Sequence, residues 1–426
     1  MRDGGRISAA IEVLGDVEAR HRPAHLALKA WGDASRYAGA KDRAFVSGLV
    51  LDALRRRRSM AWMIGEDSDR ARVLGVLRFV WDWPLQRLAD AAGEAPHGPG
   101  ALTDAERARL QQPLPLEAAP APVRGDYPDW LDASLARVFG DARGAELGAI
   151  AARAPVDVRA NTLKTDAGHV LKALAPFHPA QFDFLPDAIR IAAPEASERA
   201  APVEAAPAFA KGWFEVQDAG SQIAAAAAGQ IGGKQVLDFC AGGGGKTLAL
   251  AAAMANTGQL YAYDADSRRL AETARRAQRA GVRSLQVRSP IDPKALDGLE
   301  GRMDLVFVDA PCTGSGTWRR HPDAKWRLSP EHLLRRIGEQ DQVLAAAATY
   351  VKPGGRLIYV TCSLLAEEND DRIAAFAAAH PDFGVADIEL AGAERWVTPE
   401  GFLRLTPRSA ATDGFFVAVL SRTLGK

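Results

Sequence analysis

The sequence predicts a doubly wound, Rossmann-like α/β domain in its C-terminal half, preceded by an all-α domain and a small α+β segment. Three observations carry this. From Gly212 onward short apolar runs alternate with helix-length segments, the pattern of a parallel sheet with right-handed crossovers. From Ile7 to about Leu88 apolar residues recur at helical spacing, with no strand-like alternation between them. Between Gly93 and Gly125 stand Pro96, Pro99, Pro113, Pro115, Pro120 and Pro122, a density that marks a linker. A chain of 426 residues exceeds what one core usually spans, so the expected plan is a helical domain over 1–92, a linker over 93–125, an α+β segment over 126–205 and an α/β domain over 206–426.

Each element follows from its residues. In the first domain Ala44, Phe45, Leu49, Val50 and Leu54 share a helix face, and the small or polar breaks Gly32–Ser35 and Gly65–Ser68 separate helices. Arg55 to Arg58 form a run of four arginines, read as a face that leans toward RNA phosphates. After the linker, Tyr127–Phe139 is helical in pattern, and VDVRANTLK (Val156–Lys164) starts as an alternating strand and ends in polar residues. In the C-terminal half, QVLDF (Gln235–Phe239), LYAYD (Leu260–Asp264), DLVFVD (Asp304–Asp309) and RLIYV (Arg356–Val360) are the strands. Lys246–Met254 and Ser267–Ala280 are helices between them, the second stopped by Gly281.

Composition excludes some classes. Apolar residues at 47% and charged residues at 25% argue against a disordered or fibrous chain. Fifty-three Lys plus Arg balance fifty-three Asp plus Glu, so a polyanion has to be met by local basic patches. Arg2, Asp3, Arg6, Glu12, Asp16 and Glu18 leave no apolar stretch for a secretory signal, and no run reaches the length of a membrane span. Cys240, Cys312 and Cys362, three in number and far apart, argue against a disulfide framework. A cytoplasmic chain with free thiols, no membrane association and no evident obligate protein partner is expected, and no metal site is assigned.

Three constellations carry chemistry. In VLDFCAGGGGKTLALAAA (Val236–Ala253) a strand, a loop containing Gly242, Gly243, Gly244 and Gly245, and a helix start form a nucleotide-shaped site. GGKT and LVFVD (Leu305–Asp309) also suit a phosphate-binding loop of an ATPase, but a strict loop of that kind needs glycine where Cys240 stands. Asp264, ending the second strand, suits a ribose acceptor and favours an adenosyl ligand. The other two constellations, DAPCTGSGTWRRHPDAKWR (Asp309–Arg327) and VTCSLLAEEND (Val360–Asp370), each put a cysteine just past a strand, where doubly wound sheets bind ligands. If the two strands are neighbours, about 4.8 Å apart, Cys312 and Cys362 can face one pocket.

Such equipment suits methylation of carbon 5 of a cytosine, which is a poor nucleophile until a thiolate adds at carbon 6. Asp309 is placed to stabilise a proton on ring nitrogen 3, Lys246 to contact the base oxygen, and a second cysteine to help remove the hydrogen from carbon 5. Trp318, Arg319, Arg320, His321, Lys325, Trp326 and Arg327 mix positive charge with aromatic faces as single-stranded nucleic-acid sites do, which fits a flipped-out base.

These motifs resemble those of the RNA cytosine-5 methyltransferase family (RsmB/NOP), and within it the RsmB group. The resemblance spans nearly the whole chain: DAPCTGSGT, the TCS of Thr361–Ser363, FEVQDAGSQ (Phe214–Gln222) and DGFF (Asp413–Phe416) look like family signatures. VDVRANTLK is similar to the family's RNA-binding segment, and KDRAFVSGLVLDALRRRR (Lys41–Arg58) to a NusB-like RNA-binding domain. The resemblance implies an S-adenosylmethionine-dependent enzyme acting on RNA, and small-subunit ribosomal RNA in particular. It makes Cys362 the nucleophile, Cys312 the residue that assists product release, and Asp309 and Lys246 neighbours of the base. Cys240, Ala241, Gly242, Gly243, Gly244, Gly245 and Lys246 become the cofactor loop, with Asp264 on the ribose and Asp309 beside the cofactor. Two departures stand out: Gly242 and Gly243 replace an Ala-Pro pair usual in the loop, and VRSPIDP (Val287–Pro293) lacks the usual adenine-binding Asp, for which Asp292 is the substitute. Two alternatives remain open beside the enzyme, an ATPase with a phosphate-binding loop and a non-catalytic RNA-binding adaptor. The helical domain is expected to supply RNA affinity only, so that deleting residues 1 to about 100 leaves cofactor binding intact.

Overall fold

A computed structural model describes residues 1–424 and divides the chain into two compact units. The helical unit comprises Met1–Ala154, Ala193–Ala200 and Trp318–Leu328, and the α/β unit comprises Pro155–Ala192, Ala201–Thr317 and the described chain from Ser329.

Helices Asp3–Arg20, Ala24–Ala34, Ala40–Arg55, Arg57–Ile64, Asp69–Phe79 and Leu85–Ala92 form the N-terminal part, as the periodicity predicts. Ile7, Leu14, Leu49, Leu54 and Leu74 meet in its core. Residues 93–125 are not a linker. Helix Asp104–Gln111 starts at a capping box between Thr103 and Glu106, Arg70 clamps Glu106, and Leu110 enters the same core with no exposed surface. The prolines mislead because several sit where helices tolerate them: Pro120 is the residue before helix Ala121–Arg124 and Pro122 lies in its first turn. Helix Asp132–Phe139 also belongs to this unit and not to the α+β segment.

The last piece of the helical unit arrives from far along the chain. The final carbonyls of helix Ala40–Arg55 have no partner within the helix. Trp326 Nε1 donates to Leu54 O at 2.7 Å and Lys325 Nζ to Arg55 O at 3.2 Å, while Arg55 Nε donates to Arg319 O at 3.0 Å. The four-arginine run is consumed in the same structure: Arg55 pairs with Asp52, Arg57 with Glu18 and Arg58 with Asp129. Three of its four charges are therefore neutralised within the unit, which corrects the reading of the run as a phosphate-facing surface.

In the α/β unit, strands β1 (Val156–Ala160), β2 (Ala180–Gln181), β3 (Ala188–Ile191) and β4 (Phe214–Val216) form a small antiparallel sheet in the order β2-β3-β1-β4. Because β4 lies beyond residue 205, the small sheet extends past the expected boundary; three residues are too few to show a strand pattern. The large sheet contains β5 (Gln235–Asp238), β6 (Gln259–Tyr263), β7 (Leu285–Arg288), β8 (Met303–Asp309), β9 (Val351–Thr361), β10 (Phe383–Val385), β11 (Leu403–Leu405) and β12 (Phe415–Arg422). Its order is β10-β12-β9-β8-β5-β6-β7, with β11 paired to β12. Strands β5 to β9 run parallel and β12 runs against β9. Alternate residues of one strand, such as Leu305 and Phe307 against Val306 and Val308, enter the cores on opposite faces. That is why these strands read as unbroken apolar runs. The chain leaves β5 toward β6 on one side and returns through β8 on the other, so the switch point of the sheet lies at the C-terminal ends of β5 and β8.

Candidate active site

The glycine loop follows β5 and ends in helix Gly245–Ala253. Gly242 (φ 54°) and Gly244 (φ 85°) adopt the left-handed region, and a Cβ on Gly244 would stand 2.9 Å from Thr273 Oγ1. The loop is tied from below: Asp264, at the end of β6, accepts the Gly242 N–H at 2.7 Å on one oxygen and the Asp266 N–H at 2.8 Å on the other. Thr273 Oγ1 donates to Gly242 O at 2.8 Å, and Arg276 to Gly243 O at 2.5 Å. The helix that follows has no side-chain cap, and the space beside Gly245 is open for 4 Å around a Cβ position. Its first N–H groups are therefore available to an anionic ligand group. Cys240 is half-buried in this loop, and burial, reinforced by Asp238, Asp309 and Asp264, pushes its thiol well up. Asp292 is exposed, and its carboxylate accepts the Lys294 N–H at 2.9 Å.

Sequence reasoning missed Asp238. It ends β5 with no exposed surface; Thr247 Oγ1 donates to one carboxylate oxygen at 2.6 Å and the other oxygen has no partner. Burial foremost, with Asp309 and Asp264 adding to it against the pull of Thr247 and Lys246, pushes its pKa up to about 7. A raised carboxyl pKa means the folded state holds the proton more tightly than the unfolded one, so this contribution to stability is full below about pH 4 and is lost as pH rises toward 7. Between pH 4.5 and 7.5 the wild-type chain is expected to lose more stability than Asp238→Asn, by about 3 kcal/mol. Urea midpoints of the two proteins across that range check this, and parallel curves would clear Asp238 of the effect.

Lys246, in the first turn of the helix, reaches the end of β8, where its Nζ lies 2.7 Å from Asp309 Oδ2. Burial alone would push the ammonium down, but Asp309, with Cys362 and Asp238 behind it, outweighs burial and raises it. The ring of Phe415, from the DGFF motif, lies 5.2 Å from the same Nζ. That motif meets FEVQDAGSQ, since the Asp413 N–H reaches Asp218 at 3.1 Å while Asp218 caps helix Ala219–Ala226.

Strands β8 and β9 are neighbours with Asp309 opposite Val360, so the two cysteine loops leave the sheet side by side. Cys312 Sγ and Cys362 Sγ lie 3.4 Å apart. The hydrogen bond to Cys362, then burial, and then the charges of Cys362 and Glu368 push the Cys312 thiol well up. Either sulfur can donate in this contact. Glu368 is the second residue that sequence reasoning missed. Fully buried, it accepts from the Thr313 N–H at 2.8 Å, from Thr313 Oγ1, from Ser363 Oγ at 2.5 Å and from Gln340 at 3.0 Å. One carboxyl group therefore ties the residue after each cysteine. Further ties are the Gly316 N–H to Cys362 O at 2.9 Å and the Leu364 N–H to Ser315 Oγ at 2.7 Å. The AEEND run gave a signal, an acidic pair just after a site cysteine, but not which acid turns inward.

The expected basic and aromatic surface after Cys312 is corrected. Trp318, Arg319 and Lys325 are 1%, 4% and 2% exposed, and with Trp326 they serve the helical unit. Their mixture of ring and charge is that of a buried helix terminus, which a single sequence does not separate from a nucleic-acid face.

The comparisons with known proteins agree with this geometry. The model of the family described as 16S rRNA methyltransferase RsmB/F matches residues 229–421, from just before β5 into β12. Two relatives extend the match: "Probable ribosomal RNA small subunit methyltransferase B" of Synechocystis sp., 29% identical over 89% of this chain and 91% of its own, and ribosomal RNA small subunit methyltransferase B of Enterobacter sp., 33% identical over 73% and 70%. The solved structure of PH0851 shares the fold over 99% of both chains, with a TM-score of 0.72 at 24% identity. With the glycine loop, both cysteine loops and the strands that carry them inside the matched residues, the chain belongs to the RsmB/F family of 16S rRNA methyltransferases.

Proposed function

We propose that this protein transfers a methyl group from S-adenosylmethionine to carbon 5 of a cytosine in small-subunit ribosomal RNA, using Cys362 as the nucleophile and Cys312 in product release. The observation that carries the reading is the pair of sulfurs 3.4 Å apart at the ends of adjacent parallel strands, beside the Lys246–Asp309 pair. An adenosyl ligand fits the loop from Cys240 to Lys246, with its uncapped N–H groups and open space at Gly245, and its ribose hydroxyls fit Asp264. When bound, the cofactor supplies an electrophilic methyl group. No helix among the described residues is long and apolar enough to cross a membrane.

The residues then divide the work. Cys362 adds through sulfur to carbon 6, and the electrons of the 5,6 double bond move to carbon 5, where the methyl group is accepted. Asp309, braced by Lys246, accepts a hydrogen bond from the protonated ring nitrogen 3, which eases the addition. A base then takes the hydrogen from carbon 5, the carbon–sulfur bond breaks toward Cys362 and the double bond returns. Cys312, its sulfur 3.4 Å from that of Cys362, serves this last stage as the thiolate that takes up the carbon 5 hydrogen as a proton. Family membership removes the ATPase alternative, and two thiols meeting at the strand ends favour an enzyme over an RNA-binding adaptor.

Asp264→Ala is expected to weaken S-adenosylmethionine binding about ten- to a hundredfold, or roughly 1.5 to 3 kcal/mol, because both the ribose acceptor and the anchor of Gly242 are lost. Calorimetry reads it, and an unchanged affinity would move the ribose elsewhere. Bisulfite sequencing of ribosomal RNA from cells with and without the protein tests the activity itself. One cytosine losing its mark supports the reading, and an unaltered map overturns it.

A further inference from the structure

Away from the cysteines, the α/β unit buries an arginine whose charged end is underused. Arg159 on β1 is 7% exposed, and among the described residues its guanidinium makes one hydrogen bond, from Nε to Gln217 Oε1 at 2.9 Å. Its two terminal nitrogens have no hydrogen-bond partner among the described residues. No carboxylate of the described residues lies within ion-pair distance, although Glu215 and Asp187 are close enough to act on it through their charges. Glu215 is already taken by Arg276 and Arg279. A guanidinium carries five donors, so most of those of Arg159 are left to water or to a ligand.

Arg159 lines a cavity of about 160 Å³ whose other polar lining residues are Thr162, Asp187 and Gln222. By the share of liquid volume per water this is room for about five waters, the scale of one flat ring system. The remaining walls are largely alanines, among them Ala226 and Ala249, contributed by helices Ala219–Ala226 and Gly245–Ala253. Short apolar side chains leave smooth walls and a thin slot. The chemistry of the lining narrows the ligand. A phosphate offers acceptors only, so Asp187 would repel it. A ligand that satisfies Arg159 and Asp187 together must offer acceptors to one and donors to the other while remaining flat. Among nucleobases guanine does this best, since O6 and N7 match a guanidinium fork and its N1–H and amino group match a carboxylate.

We infer that this slot is a base-reading site for an unstacked guanine of the RNA substrate, separate from the pocket of the two cysteines. The inference rests on the proposed RNA methylation, for it is the RNA that brings the base. A side pocket that captures one splayed nucleotide fixes the register of a single strand, as RNA-binding surfaces commonly do.

The test uses the full chain with 5′-GMP as probe and 5′-AMP and inorganic phosphate as comparators, in calorimetric titrations. GMP is expected to bind at least tenfold more tightly than AMP, with no competition from phosphate. Ala226→Leu, which adds bulk to the apolar wall, is expected to abolish the binding, and Asp187→Asn to remove the preference over AMP. In methylation assays on ribosomal RNA the same two variants are expected to raise KM about tenfold at unchanged kcat, which a merely structural role of the slot would not do. Equal binding of GMP and AMP, competition by phosphate, or GMP binding that survives Ala226→Leu would each overturn the inference. A wild-type chain that binds GMP selectively yet methylates no RNA would instead overturn the proposed function and leave the guanine slot standing.

Discussion

Cys362→Ala is expected to yield neither methylated RNA nor any covalent enzyme–RNA species, because without that thiolate nothing adds to carbon 6. Cys312→Ala is expected to stop turnover at a later point. Addition and methylation still occur, hydrogen removal from carbon 5 slows by about 10²- to 10⁴-fold, and methylated RNA remains attached through Cys362. The two sulfurs lie 3.4 Å apart, so each variant alters the partner's surroundings as well, and loss of turnover alone does not separate their roles. The adduct does. A shifted band on a denaturing gel, after incubation with RNA and S-adenosylmethionine, should appear with Cys312→Ala and vanish in the double variant. A band with Cys362→Ala and none with Cys312→Ala would reverse the assignment.

Deleting residues 1–92 is expected to damage far more than RNA affinity, contrary to what the sequence suggests. The deletion removes helix Ala40–Arg55, and with it the carbonyls that hold Trp326 and Lys325 and the guanidinium that holds Arg319 O. Burial pushes the Lys325 ammonium down to about 8 against the pull of Asp126, and that burial would end. Segment Trp318–Leu328 follows the Cys312 loop directly in sequence, so its loss of structure frees one end of the loop that carries the site cysteine. The truncated chain is expected to lose all turnover even on saturating RNA, with new protease cleavage between residues 318 and 328. Limited proteolysis followed by mass spectrometry reads this. A truncated protein that resists cleavage there and retains kcat would show that the segment stands without the helices.

The α/β core was legible because parallel strands covered on both faces are apolar throughout, as in Leu305–Val308, and stand out between helices. Both cysteines could be placed just past strand ends for the same reason, since the position of a loop follows from its strand, whereas the pairing of β8 with β9 came from the fold. Asp238 and Glu368 were not legible. An acid at a strand end reads the same whether it faces solvent, caps a helix or is buried, and only packing decides. The run Trp318–Arg327 failed in a related way: arginine, lysine and tryptophan serve RNA surfaces and buried helix ends alike, and the partners of Trp326 and Lys325 lie some 270 residues earlier. The prolines of residues 93–125 were read as breaks where several in fact precede or open helices.

The late arrival of Trp318–Leu328 also sets an order for the folding of a growing chain. The helices up to Ala154 emerge first, but the residues that close the end of helix Ala40–Arg55 are translated only after roughly 170 more, which at about 5–20 residues per second is a delay of about 10 to 35 s. During that interval the terminal carbonyls of Leu54 and Arg55 and the surface destined for Trp326 stay open to solvent. The N-terminal helices therefore emerge from the ribosome as an unfinished core, completed only once four of the eight strands of the large sheet, β5 to β8, have been synthesised.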